Sequence, residues 1–332
     1  MSNNYQPAQP FVVMREAAQG TGIGILTGAV VAIGNFDGVH RGHRAVIGAA
    51  QARARTLGRK AAALTFVPHP RLFFRPQDAV FQLCDERSKL RLLAGAGLDG
   101  VILMHFDAAL AGTSAEDFVS RILKDRFQIG GAAIGFDFHF GKNRAGSPNF
   151  LAEQGARLGF AVDIVPPLQD EGRPISSGAI RTALASGKVV EAMELLGAPW
   201  FVSGEVIHGE KRGRELGFPT ANLRLDPSCD LKHGIYAVRV AVGGKRHDGV
   251  ASFGRRPMFD NGAPLLEVFL FDFDGDLYGQ SIDVAFIGWI RQEQKFESID
   301  DLKNTMSSDG VQAREALARA GDVFPVLGDV PA

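Results

Sequence analysis

His40 and His43 stand three residues apart in Gly34-Asn35-Phe36-Asp37-Gly38-Val39-His40-Arg41-Gly42-His43. Two imidazoles at that spacing on one turn of helix face the same side. There they can donate to one anion, hold a metal, or sit as a plain surface pair. A metal lacks companions: the chain has no HExxH, and its two cysteines, Cys84 and Cys229, are far apart. The flanking residues suit an anion. Val30 to Ile33 is an apolar run of buried-strand length. Gly34, Gly38 and Gly42 leave room for close approach to the backbone, and Val46, Ala50, Ala54 and Leu57 then recur at helical spacing. Strand, glycine turn and helix in that order place unpaired N–H groups and the positive end of a helix dipole at the turn, a layout that holds phosphate.

A second constellation occupies residues 204–222. Gly209, Gly213 and Gly217 punctuate a basic loop suited to wrapping polyphosphate with backbone N–H groups and Lys211. Thr220 and Asn222, two apart, point to one face of an extended segment. Their hydroxyl and amide oxygens are hard ligands appropriate to Mg2+ shared with phosphates. Taken alone, the stretch also reads as a turn-rich loop. Glu267 is predicted to share a strand face with Leu265, Phe269, Phe271 and Phe273, an apolar row in which a carboxylate needs a partner or a job. One such job is to take the proton from a hydroxyl that attacks phosphate. Asp272, Asp274 and Asp276 do not make an EF-hand, because Leu277 replaces its glycine; they read as a hairpin turn around Asp274-Gly275.

Two further loops carry polar groups. Asp137, Lys142 and Arg144 follow a strand end, and Ser176 and Ser177 open a helix with Arg181 one turn in. The glycines from Gly20 to Gly24 precede their strand, so they do not form a dinucleotide fingerprint, and Gly135 to Lys142 does not have Walker A spacing.

These residues need elements to position them. Apolar strands at 30–33, 61–66, 101–106, 132–135 and 160–165 alternate with helical patterns, which predicts a parallel sheet wrapped on both faces. Ligands in such sheets bind beyond the carboxyl ends of the strands. The opening turn and the loops after Phe66, Gly135 and Val165 are therefore expected to meet at one cleft. Past Gly187 the pattern changes to strands at 200–207, 235–242, 249–253, 265–273 and 282–289, then a closing helix at 311–320. Several strands without intervening helices imply a barrel or sandwich. Domains are expected at 15–185 and 186–325.

With 36 Lys+Arg against 37 Asp+Glu, the net charge of -1 leaves no electrostatic footprint for nucleic acid. No stretch approaches eighteen consecutive apolar residues, and residues 1–10 lack the basic and apolar regions of a signal peptide. A cytoplasmic protein acting on small molecules, off the membrane, is expected. Oligomeric state is left open.

Gly34 to His43 resembles the HxGH signature of nucleotidyltransferases and, within them, of bacterial FAD synthetases; residues 135–144 and 175–181 resemble further motifs of that family. Gly217-Phe218-Pro219-Thr220-Ala221-Asn222 resembles the riboflavin kinase signature, with supporting blocks at 234–238, 249–257 and 277–279. The chain is thus identified as a member of the bifunctional riboflavin kinase/FAD synthetase family. That resemblance implies an α/β plus all-β protein: a Rossmann-like parallel-sheet nucleotidyltransferase domain, then a Greek-key-like β-barrel kinase domain with a terminal helix. It implies phosphorylation of riboflavin to FMN and adenylylation of FMN to FAD, with ATP as co-substrate and Mg2+ as cofactor. Carried over by position, His40, His43 and Glu267 are catalytic and Thr220 and Asn222 bind the metal. Gly34, Asn35, Phe36, Asp37, Asp137, Ser177, Arg181, Gly209, Lys211, Gly213 and Gly217 contact nucleotide or flavin. The chain departs from the family pattern at His139, Gly178, Ser252, Met258 and Phe269, where Arg, Thr, Asn, Thr and His are usual. Another adenylyl- or cytidylyltransferase shares HxGH but leaves 204–222 unexplained, and a non-catalytic flavin-binding module leaves Glu267 unexplained.

Overall fold

The computed structural model describes residues 10–16, 24–77, 80–170, 172–208, 219–255 and 264–331. The chain divides into two compact units, one of Met1–Val80, Lys89–Ile175 and Val326–Ala332, the other of Phe81–Ser88 and Ser176–Pro325.

The first unit is built on six parallel strands: β1 (Val12–Arg15), β2 (Val30–Ile33), β3 (Ala61–Val67), β4 (Gly100–His105), β5 (Gly131–Gly135) and β6 (Ala161–Val165). Their order is β1-β4-β3-β2-β5-β6. All four residues of β2 are buried, as a central strand covered on both faces requires. Chain order runs one way from β2 through β3 to β4 and the other way from β5 to β6. The point of reversal lies at the carboxyl ends of β2 and β5, where such sheets take their ligands. Edge strand β1 adds to the five expected; it is four residues long and pairs only with β4.

The helices α1 (Arg41–Leu57), α2 (Pro70–Phe74), α3 (Glu86–Gly95), α4 (Ala108–Gly112), α5 (Ala115–Asp117) and α6 (Pro148–Leu158) intervene, and α5 runs on into a π-helix, Phe118–Arg126. α1 ends at Gly58, left-handed with φ 60°, whose N–H reaches Ala54 and Arg55 carbonyls. A small ladder, β7 (Gln169–Asp170) with β8 (Arg173–Pro174), follows β6.

The chain's last residues return to this unit and lie on α3, where the Gly328 N–H donates to the Arg91 carbonyl at 2.9 Å. A Cβ at Gly95 would fall 2.2 Å from the Val326 carbonyl oxygen, so only glycine permits the contact. Gly95→Ala is expected to lift this tail and cost about 1–3 kcal/mol, the usual price of overpacking. Thermal unfolding and limited proteolysis of the C-terminus check it; an unchanged Tm with a protected tail would show that the contact contributes nothing.

The second unit contains α7 (Ser177–Ala185), α8 (Val189–Leu196), β9 (Phe201–Glu205), β10 (Ala221–Arg224), β11 (Gly234–Val242), β12 (Lys245–Arg255), β13 (Pro264–Leu270), β14 (Ser281–Arg291) and α9 (Ile299–Ala320). Strand order is β10-β13-β12-β11-β14-β9, antiparallel throughout. Three consecutive strands, β11 to β13, form a meander, and β14 returns beside β11, which is a Greek key. A bridge between Ile207 and Asn222 joins the two ends of the sheet and nearly closes it into a barrel.

Three expectations are corrected here. β13 ends at Leu270, so Phe271 and Phe273 do not continue the face of Glu267. The link from β13 to β14 is not a hairpin at Asp274-Gly275: β14 pairs with β11 and β9, and residues 271–280 must cross to reach it. α9 starts at Ile299 rather than Val311, because Ser298 caps it by accepting the Asp301 N–H at 3.0 Å. Its polar first half hid it from an apolar-periodicity reading. The unit also takes in Phe81–Ser88, whose Leu83 carbonyl accepts the buried Trp200 indole N–H at 2.7 Å while Phe81 meets the same ring edge-on.

Candidate functional site

At the switch point of the parallel sheet, His40 is the N-cap of α1, with φ -66° and ψ 172°. Its Nδ1 accepts the His43 backbone N–H at 3.3 Å, which leaves Nε2 as the ring's donor nitrogen. The two imidazoles stack with centroids 3.6 Å apart and planes at 17°. Phe36, buried beneath them, meets His43 edge-on at 5.3 Å. A Cβ at Gly42 would press on the His40 ring at 3.2 Å, so this glycine gives the cap its room.

The turn that leads to this pair is strained. Phe36 (φ 50°) and Val39 (φ 42°) both lie in the left-handed region, and for a β-branched valine that is a genuine outlier. Such residues cost on the order of 1–3 kcal/mol each and persist where the surroundings fix them. Gly34 N–H donates to the Leu64 carbonyl, the fully buried Thr65 hydroxyl holds the Asn35 carbonyl at 3.2 Å, and Asp37 is itself buried. The strain was not legible in the sequence.

The electrostatics of the turn point to an anion. The first turn of α1 carries Arg41, His43 and Arg44 and no acid, the reverse of what a helix dipole favours. His43 Nδ1 and Arg44 Nε are buried with no hydrogen-bond partner among the described residues. Burial holds the His43 pKa well below the ordinary histidine value, and the charges of His40 and Lys89 push the same way. Arg44 is shifted down by burial alone.

The lowered His43 pKa carries a stability prediction. Above about pH 6.5, the unfolded value, neither state holds the proton and the contribution is fully present. As pH falls below it, the unfolded chain takes up a proton that folded His43 refuses, and stability is lost. Denaturant unfolding between pH 7.5 and 5 should show a steeper acid loss in the wild type than in His43→Gln. Parallel curves would assign the loss to other groups.

Asp137 is exposed beyond β5, as are Lys142 and Arg144. Asn143 and Arg144 adopt left-handed φ of 58° and 57°. Ser176, not Ser177, caps α7 by accepting the Ala179 N–H at 3.2 Å, which leaves Ser177 as the first helical residue. Arg181 Nε donates to the Phe81 carbonyl at 2.5 Å. The structure thus groups Gly34, Asn35, Phe36, Asp37, His40 and His43 in the first unit, while Ser177 and Arg181 fall in the second.

One group was missed by sequence reasoning. Phe66 at the end of β3, Phe106 just past β4 and Phe73 and Phe74 of α2 form an edge-to-face aromatic cluster with centroids 5.3–5.9 Å apart, and Phe74 is 63% exposed. It stands at the carboxyl edge of the sheet. The run Arg71-Leu72-Phe73-Phe74 was the available signal, but its place beside Phe106 needed the strand pairing of β3 with β4.

In the barrel, register builds the second site. Asn222 on β10 is paired with Glu267 on β13, and Glu267 with Ser252 on β12, giving a polar row across three strands at the closing seam. Asn222 is 5% exposed, and its Nδ2 donates to the Thr220 carbonyl at 3.2 Å, which leaves the amide oxygen out of that bond. Leu266, Val268 and Leu270 fill the core, whereas Leu265, Glu267 and Phe269 are half-buried. Glu267 therefore lies on the half-open face rather than in a closed apolar row. Its carboxylate escapes the full cost of burial. Gly209, Lys211, Gly213, Gly217 and Met258 lie outside the described residues. Among the described residues no group of three His, Cys, Asp or Glu could hold a metal.

Residues 23–179 match the family model described as FAD synthetase, and residues 196–317 that described as riboflavin kinase. A bifunctional riboflavin kinase/FMN adenylyltransferase of Pseudomonas fluorescens is 40% identical over 292 residues, covering 88% of this chain and 93% of the relative. The chain belongs to the bifunctional riboflavin kinase/FMN adenylyltransferase family. A Bacillus subtilis member is 36% identical over 294 residues, covering 86% of this chain and 91% of its own. A solved Streptococcus pneumoniae structure, described as a macrolide-efflux protein, superposes with a TM-score of 0.79 at 32% identity, covering 86% of this chain and 94% of its own. Among the described residues no helix of the family member described here is long and apolar enough to cross a membrane.

Proposed function

We infer that this chain performs two ATP-dependent transfers in series, phosphorylation of riboflavin to FMN and adenylylation of FMN to FAD with release of pyrophosphate. The reading is carried by one observation: the FAD synthetase match at residues 23–179 contains β2 to β6 of the parallel sheet, the riboflavin kinase match at 196–317 contains the barrel, and the geometry of each suits one of the two transfers. Along the chain the division is made at 185/186, with the adenylylation domain at 15–185 and the kinase domain at 186–325.

In the barrel, Glu267 orients the ribityl 5'-hydroxyl of riboflavin and takes its proton as the oxygen attacks the γ-phosphate of ATP. The Thr220 hydroxyl and the Asn222 amide oxygen fit Mg2+, since a hard cation shared with phosphates needs only one or two protein oxygens. When bound, Mg2+ neutralises the phosphate charge. Lys211 and the glycines at 209, 213 and 217 wrap the polyphosphate.

In the parallel-sheet unit, a phosphate oxygen of FMN attacks the α-phosphate of a second ATP. His40 and His43 donate to the charge that passes to pyrophosphate, aided by the N-terminus of α1; Ser177 and Arg181 are assigned to nucleotide binding by resemblance alone. The attacking phosphate is already an anion, so the step needs no base, and catalysis is positioning and electrostatics. Gly34, Asn35, Asp37 and Asp137 face the nucleotide, with Phe36 supporting His43. The exposed aromatic cluster around Phe74 suits the flat, apolar ring system of the flavin.

Purified protein incubated with riboflavin, ATP and Mg2+ and then chromatographed tests the whole reading. FMN and FAD should both form, with pyrophosphate released in step with FAD. FMN alone would remove the adenylylation assignment.

A further inference from the structure

We propose that Lys89 is a further catalytic residue of the adenylylation site, its ammonium contacting the β- and γ-phosphates of ATP and then the departing pyrophosphate. The proposal rests on the reading of the α1 entrance as the nucleotide site and extends it to a residue on another helix.

Lys89 sits in the first turn of α3 and is 5% exposed. Among the described residues its ammonium has no hydrogen-bond or ion-pair partner. A lysine whose side chain is this enclosed is normally paired, and here the ammonium, which is not one of the fully enclosed atoms, has no anion beside it among the described residues. Its surroundings add to this. The charge of Lys89 acts on His43, whose Nδ1 is itself a buried orphan, and the same turn holds the buried, unpartnered Nε of Arg44. The His40–His43 stack, the acid-free first turn of α1 and Lys89 thus gather cationic and donor groups at the entrance. Each feature is unfavourable in isolation, and a polyanion relieves all of them together.

The chemistry then assigns the role. An FMN phosphate oxygen forms a bond to the α-phosphorus of ATP. The bond from that phosphorus to the oxygen bridging to the β-phosphorus breaks, and its electron pair leaves on pyrophosphate. Charge therefore grows on the leaving group as the bond lengthens. A fixed ammonium there stabilises the transition state more than the ground state, which is the condition for acceleration.

Lys89→Met keeps the stem and removes the charge, and Lys89→Arg keeps the charge. In Lys89→Met, FMN adenylylation should fall about 10²-fold while riboflavin phosphorylation in the same sample stays near wild type. In the reverse reaction, from FAD and pyrophosphate to FMN and ATP, the KM for pyrophosphate should rise at least about tenfold and that for FAD stay within about twofold. Arg should recover most of the loss. Lys89→Met should also melt no lower than the wild type, and inorganic pyrophosphate should raise the Tm of the wild type alone. An unchanged pyrophosphate KM, an equal rise in the FAD KM, or a pyrophosphate-induced Tm shift that survives in Lys89→Met would overturn the proposal. If Lys89→Met does not fold, the same pyrophosphate KM and Tm comparisons in Lys89→Gln decide. A wild-type protein that makes FMN but no FAD would instead fail the underlying site reading, a result distinct from any of these.

Discussion

Glu267→Gln is expected to lower conversion of riboflavin to FMN by about 10²- to 10⁴-fold, the usual worth of a general base, while supplied FMN is still adenylylated. Gln keeps the size and hydrogen-bonding reach of the side chain but cannot accept the hydroxyl proton. Register makes the substitution informative. Glu267 is opposite Asn222 on one neighbouring strand and Ser252 on the other, so a base at 267 lies within the same row as the proposed metal ligand. It stands on the half-open face, and replacing it leaves the core residues Leu266, Val268 and Leu270 untouched. A loss of activity in a variant with unchanged Tm therefore reports chemistry rather than folding. Near-normal phosphorylation would return Glu267 to a structural role and leave the barrel without a base among the row Asn222–Glu267–Ser252.

How much of this was legible in the sequence differs between the two units. Parallel strands buried on both faces read as continuous apolar runs, so β2 to β5 were found close to their true bounds, and half-exposed edge strand β6 was found with them; the strand order, and with it the switch point, was not read. β1 was missed because four residues at a sheet edge carry too little pattern, and its only support is β4, far away in sequence. In the barrel, five of the six strands were visible, β10 being read only as an extended segment around Thr220 and Asn222, and their order was not. The reading of Asp274-Gly275 as a hairpin failed because adjacency in sequence stood in for adjacency in the sheet, and β14 prefers β11 and β9.

For the sites the same division holds. Residue types and spacing singled out His40, His43, Thr220 and Asn222 as candidates. What spacing could not announce was environment: the stacking of the two rings, the left-handed Val39, and the buried Lys89. Each of those depends on contacts between segments brought together only by the fold. The assumption about Glu267 erred for the same reason, since period-two alternation names the residues on a face but not which face the barrel closes over.

His43→Ala is expected to cut FMN adenylylation by about 10²- to 10³-fold, the loss typical of one donor to a developing oxyanion, and to leave riboflavin phosphorylation near wild type. Burial holds the His43 pKa well below the ordinary histidine value, so the role proposed for it is that of a hydrogen-bond donor, with the charge assigned to Lys89. His40 needs a different substitution. Its Nδ1 caps α1 through the His43 N–H, so alanine would remove both the imidazole and the cap, the latter alone worth about 0.5–2 kcal/mol. Asparagine is a good N-cap and separates the two roles. His40→Asn should therefore keep the wild-type Tm yet lose adenylylation as His43→Ala does, whereas His40→Ala should lose stability as well. Both reactions are measured on each variant, with riboflavin and with FMN as the starting flavin. If His40→Asn adenylylates FMN normally while His40→Ala does not, the imidazole at 40 serves only to start the helix, and His43 with Lys89 carries the phosphate chemistry.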